Sequence, residues 1–111
     1  MFIKLVIFKV LLILSMNYAY AEKTEAVWID VRSVLEHKLD HIDGDIRVSH
    51  GDIVVKASTI NLAKDAEIRL YCRSGGRAGK AMEALKKAGY TNVENVGSIQ
   101  NARKVRGIEK P

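Results

Sequence analysis

Glu67-Ile68-Arg69-Leu70-Tyr71-Cys72, then Arg73-Ser74-Gly75-Gly76-Arg77, then Ala78 to Gly89, holds the decisive pattern of this chain. Ile68, Leu70 and Cys72 alternate with Arg69 and Tyr71, the period-two signature of a strand. Two adjacent glycines then break the pattern. From Ala78 the period becomes helical: Ala78, Ala81, Met82, Leu85 and Ala88 form one apolar stripe. Lys80, Glu83, Lys86 and Lys87 face away from it, with Glu83 and Lys87 spaced as an i,i+4 ion pair. Gly89 stands where helices commonly end.

Working outward, Ala26 to Val31 is a short apolar run of strand-forming residues, and Ser33 with Glu36 makes a capping box. This predicts a short helix over Val34 to Leu39. His41 to Asp45 reads as a turn and Ile46 to Val48 as a brief strand. Gly51-Asp52 opens a helix with Ile53, Ala57 and Ile60 at helical spacing. Downstream, Asn92 to Val96 is a last strand and Ile99 to Val105 a short helix. Strands alternating with helices predict an α/β fold, a mainly parallel sheet flanked by helices on both faces. Ligands of such sheets bind beyond the carboxyl ends of the strands, where Cys72 and Asp30 both fall.

The chain is 111 residues long with a formal charge of +5, a length that suits one domain. A single cysteine leaves no intramolecular disulfide and no metal site of several thiolates. Seven aromatic residues, one Trp, four Tyr and two Phe, leave the core to Val, Ile, Leu and Ala. Lys4 and Lys9, the apolar run Val10 to Leu14, and Ala19-Tyr20-Ala21 are the three parts of a secretory signal. Lys9 interrupts the alternative, a spanning helix of about 20 apolar residues. We therefore expect a signal peptide over residues 1–21, cleavage near Ala21, and a mature domain over 22–111 that is periplasmic or secreted, without a stable membrane anchor. Scattered basic residues without aromatic interleaving argue against nucleic acid as a partner.

An exported protein keeps an unpaired cysteine buried and inert, bonded to a partner, or for chemistry. Gly75 and Gly76 let the backbone of Arg73, Ser74, Gly75, Gly76, Arg77 and Ala78 turn its N–H groups inward, and the following helix adds its positive end. A thiol at the rim of that cup is favoured as thiolate, the nucleophilic form. Arg73 and Arg77 carry planar forks suited to oxyanions. The alternative is a buried cysteine closing a core strand before a flexible turn. Glycines, arginines, helix start and export together favour chemistry.

These residues also carry a resemblance. Cys72 to Arg77 is similar to the rhodanese active-site loop, C-R-x-G-x-[RT]. Trp28 to Arg32 with Glu36 resembles that family's I-D-V-R…E motif, His41 to Ile46 its H-I-P-G-A-I motif, and Ala88 to Val93 its G-[FY]-x-x-V stretch; Gly97-Ser98 falls where Gly-Gly is usual. The likeness covers Val27 to Ala102 and is nearest to small exported rhodaneses of the phage-shock type. Asp43 and Ser49 depart from usual prolines, Asp45 from a small residue, and no tryptophan follows Ser98.

The resemblance implies a sulfurtransferase. Cys72 takes the sulfane sulfur of thiosulfate or a similar small sulfur anion as a persulfide and passes it to cyanide or a thiol. It implies no metal and no organic cofactor, and we expect a monomer. A non-catalytic persulfide or oxyanion carrier is the alternative. A cysteine phosphatase is disfavoured, because its C-x5-R loop has seven residues and Cys72 to Arg77 has six. Asp30 and Arg32 are expected as an ion pair supporting the site, with His41 a weaker supporting candidate. His37 and His41 lack an evident third metal ligand. Gly75 to Lys80 fails as a P-loop, with Ser74 at its first glycine position and Ala81 after the lysine.

Overall fold

Among the described residues, four strands and four helices follow one another. They are β1 (Val27–Asp30), α1 (Val34–Leu39), β2 (Ile46–Arg47), α2 (Ile53–Thr59), β3 (Ile68–Cys72), α3 (Gly76–Lys87), β4 (Val93–Ser98) and α4 (Ile99–Arg106), with a single 3-10 turn over His50–Asp52 before α2. The computed structural model describes residues 25–110, so the expected signal peptide lies outside the described residues. No helix among them is long and apolar enough to cross a membrane.

All strand pairs are parallel, in the order β2-β1-β3-β4. Ile29 sits opposite Leu70, and Asp30 opposite Tyr71. The central strands β1 and β3 therefore end side by side. Their alternation sorts side chains onto two covered faces. Ile29, Ile68, Leu70 and Cys72 meet Ile53 of α2 and Ala78, Ala81 and Leu85 of α3. Trp28 and Tyr71 meet Ile42 with Ile99 and Ala102 of α4. Fully burying an aliphatic side chain of this size contributes about 1.5–3 kcal/mol, so these layers, not local propensity, hold the sheet.

Helix ends follow the chemistry of their caps. Ser33 Oγ accepts from the Glu36 N–H at 3.2 Å, and Glu36 Oε1 accepts from the Ser33 N–H at 3.2 Å, which starts α1 as the sequence predicts. Gly89 and Gly107 take positive φ just past α3 and α4. The predicted stripe of α2 needs correction, because Ile60 lies beyond the helix and is 36% exposed. Asn61 turns left-handed there, at φ 54°, and Leu62 packs against the core instead. Strand β4 runs two residues past its predicted end, to Ser98. Leu70 pairs with Asn95 but Tyr71 with Gly97, so Val96 is an extra residue and β4 bulges.

Candidate active site

Cys72 closes β3 with 1% of its surface exposed. The chain then folds back over its own sulfur. Gly75 N–H donates to Cys72 Sγ at 3.0 Å. Burial pushes the thiol up, but hydrogen bonds from the N–H groups of Ala78, Ser74, Gly75 and Arg77 together outweigh it and hold the thiol below its ordinary value. A chain can wrap this tightly only through Gly75, whose φ is +105° and whose Cβ, if it had one, would stand 3.3 Å from Gly97 Cα. The resulting cup favours an anion on the sulfur, whether thiolate or persulfide.

The two loop arginines separate. Arg73 lies exposed, with no hydrogen-bond or ion-pair partner among the described residues. Arg77 is different from the expectation of a free fork. Its Nη1 and Nη2 bind Glu36 Oε1 and Oε2 at 2.6 and 2.9 Å. The capping box fixes the Glu36 carboxylate at the start of α1, opposite the start of α3, and the guanidinium closes that gap. An incoming oxyanion would have to share or displace Glu36 to reach Arg77.

This pairing, chiefly the hydrogen bond from Arg77, lowers the Glu36 carboxyl to about 2. A depressed carboxylate stabilises the fold above its unfolded value and loses that contribution as pH falls toward the folded one. Both side chains are about a quarter to a third exposed, at 27% and 30%, so solvent screening limits the gain to about 1 kcal/mol. Between about pH 4.5 and 2 the wild-type melting temperature should therefore fall more steeply than that of Glu36→Gln. Parallel curves from calorimetry would show the pair to be energetically silent.

Asp30, Arg32 and His41 are not brought to the thiol. Side-chain alternation puts Asp30 on the Tyr71 face, the opposite face from Cys72. Asp30 is fully buried. Its carboxylate accepts from Arg32 Nε at 2.9 and 3.1 Å and from Nη2 at 2.7 Å, while Nη2 also donates to the Asp40 carbonyl at 2.7 Å. His41 is half exposed, and both ring nitrogens are occupied, Nδ1 by the His37 carbonyl at 3.0 Å and Nε2 by Asp43 Oδ1 at 2.9 Å. The expectation that His41 supports the site is corrected accordingly. Its turn belongs to the α4 face, where Arg103 grips Asp40 and the His41 carbonyl.

A family model of the rhodanese-like domain matches residues 16–105. The chain belongs to the rhodanese family. It is 31% identical over 101 residues to the thiosulfate sulfurtransferase PspE of Escherichia coli K12, a match covering 89% of this chain and 97% of that one. A solved rhodanese with anions from E. coli superposes with a TM-score of 0.65 at 31% identity, over 69% of this chain and 91% of that chain. The candidate sulfur carrier protein YrkF of Bacillus subtilis 168 is 34% identical over 68 residues, which is 61% of this chain and 36% of that protein. Family and full-length likeness together support sulfurtransferase as the enzyme type.

Two residues of this rhodanese carry little signal in the sequence. Asn95, an ordinary polar residue within a strand by pattern, ties β4 to the cysteine loop through Gly75. Its only sequence signal is position, two residues before a glycine that can take positive φ. Asp45 reads as a departure from a small residue, yet its side chain is buried and satisfied. It accepts from Tyr71 Oη at 2.6 Å and from both Arg106 Nη atoms at 2.7 and 3.0 Å, and Arg106 in turn stacks on Trp28. The departures at Asp43 and Ser49 lie on the surface turn beside His41 and at the start of the 3-10 turn.

Proposed function

We propose that this rhodanese is a thiosulfate sulfurtransferase working through a Cys72 persulfide, in an exported domain of residues 22–111 released from a signal peptide over residues 1–21. The observation that carries the reading is the hydrogen-bond cup on a buried sulfur, with its thiol lowered against burial. The Cys72 thiolate attacks the sulfane sulfur of thiosulfate. The sulfur–sulfur bond breaks, sulfite leaves with its electron pair, and Cys72 keeps the transferred sulfur as a persulfide anion. Cyanide or a thiolate then attacks the outer sulfur, and the electron pair returns to Cys72. Inward N–H groups of the loop from Arg73 to Ala78 stabilise the anion on sulfur at each stage. No step requires a metal or an organic cofactor. Next to Cys72 in sequence, exposed and without a partner among the described residues, Arg73 is free to meet an arriving anion.

Intact mass resolves the cycle. The purified protein should gain one sulfur on exposure to thiosulfate and lose it to cyanide as thiocyanate. No gain on a thiol that still alkylates would reject thiosulfate as donor. The partial likeness to a candidate sulfur carrier supports a second reading, a protein that accepts one sulfur without turning over. Thiocyanate formed in excess of protein separates the enzyme from the carrier.

Arg77→Ala tests the loop charge. With its fork held by Glu36, Arg77 contributes to donor binding only as it is released, so the variant should raise KM for thiosulfate by about tenfold, the loss of one charge-assisted contact. Reactivity with the uncharged reagent iodoacetamide should survive. Equal loss of both would make Arg77 purely structural.

A further inference from the structure

The cup on Cys72 is not held by its own loop alone. Asn95 reaches it from β4: Nδ2 donates to the Gly75 carbonyl at 2.9 Å, and Oδ1 accepts from the Gly97 N–H at 2.9 Å. The second contact fixes the amide orientation, since a backbone N–H can face only the oxygen, which leaves the nitrogen for the carbonyl. The same Gly75 carbonyl accepts the Gly79 N–H at 2.8 Å, the first hydrogen bond of α3. Gly75 is thus clamped on its carbonyl side by two donors while its own N–H points at Sγ, 3.0 Å away.

Space around the amide is equally specific. A Cβ on Gly75 would lie 3.8 Å from both amide atoms of Asn95, and one on Gly79 would lie 3.4 Å from Nδ2. The bulge at Val96 and the positive φ of Gly97, 93°, swing the Gly97 N–H back onto Asn95, so the irregularity in β4 and the turn in the loop are joined by one side chain. Without that tie, Gly75 keeps the backbone freedom of glycine, and its unusual φ has less to hold it.

We propose that Asn95 is a positioning residue for Cys72: by anchoring the Gly75 carbonyl to the β4 bulge it holds the N–H cup closed on the sulfur and keeps the thiol reactive at neutral pH. Asn95 touches neither the sulfur nor a donor and acts only through Gly75. The proposal rests on Cys72 as the reacting group, and its test reads that thiol directly.

Iodoacetamide alkylation of Cys72 is followed against pH for the wild type, Asn95→Ala, and Ile42→Val, a core variant on the Tyr71 face of the sheet, away from the sulfur, that lowers stability. Asn95→Ala should move the alkylation midpoint upward by about one pH unit, the worth of weakened hydrogen bonds to a thiolate. Turnover with thiosulfate at pH 7 should fall several-fold, in kcat more than KM, and recover at higher pH. Ile42→Val should leave the midpoint in place, which separates positioning from loss of stability. A folded Asn95→Ala with the wild-type midpoint would overturn the proposal. Should that variant fail to fold, Asn95→Ser, polar but too short to reach Gly75, is measured in the same way, and an unshifted midpoint there overturns the proposal equally. Because alkylation needs no sulfur donor, an enzyme inactive toward thiosulfate would refute the proposed reaction and leave this test intact.

Discussion

Cys72→Ser is expected to lose sulfur transfer by at least about 10³-fold, the scale on which removal of a covalent nucleophile acts. The fold should persist. Serine is slightly smaller than cysteine, its oxygen can accept the Gly75 N–H that now meets Sγ, and no buried donor is left without a partner. What disappears is the ionised form. The cup lowers a thiol past the effect of its burial, but an alcohol begins far higher, and the same N–H groups cannot bring it into the neutral range. Intact mass should show no added sulfur after thiosulfate, and no thiocyanate should form with cyanide. Appreciable turnover by a folded Cys72→Ser protein would remove the persulfide from the mechanism and leave the loop a binding site.

The cysteine loop could be read in the sequence because its requirements are local. Strand period, paired glycines and helix period occur in one continuous stretch, and each constrains only near neighbours. Likewise, Ser33 and Glu36 are three residues apart, and α1 spans Val34–Leu39 as their spacing predicts. The residues whose roles the sequence hides depend on contacts distant in the chain. Arg77 and Glu36 are 41 positions apart, Asn95 and Gly75 20, and Tyr71 and Asp45 26. Nothing in the pattern of one element reports which acid another element will present to it. Tyr71 alternates with apolar residues as though it faced outward, and only α4 on that side makes its position interior.

Side-chain alternation also explains why Asp30 and Arg32, expected as an ion pair supporting the site, form that pair on the face of the sheet turned away from the thiol. Asp30 and Cys72 do end adjacent parallel strands, as the order of elements implies. The face each side chain takes, however, depends on register, and register is not written in either strand alone. With Asp30 opposite Tyr71, the carboxylate points to the α4 side and the sulfur to the α3 side. The end of the sheet carries reactive chemistry on one face and a structural ion pair on the other.

That separation makes Asp30→Ala the stronger test of stability. Asp30 is fully buried and the Arg32 side chain is 7% exposed, so the substitution strands a desolvated guanidinium that keeps one described acceptor, the Asp40 carbonyl. Breaking a buried pair in this way costs about 3–5 kcal/mol. Domains of this size are stable by roughly 5–15 kcal/mol, so the variant should melt more than about 15 °C lower and sit near the edge of folding. Asp30→Leu with Arg32→Met, which removes both charges at similar volume, should regain much of the loss. Below its melting point Asp30→Ala should still take sulfur from thiosulfate within a few-fold of the wild-type rate, because the Asp30 carboxylate and Sγ lie on opposite faces. The contrary result has a distinct form. An Asp30→Ala protein that melts like the wild type and transfers no sulfur would mean that the carboxylate acts in the reaction, and that the ion pair with Arg32 is its resting state rather than its purpose.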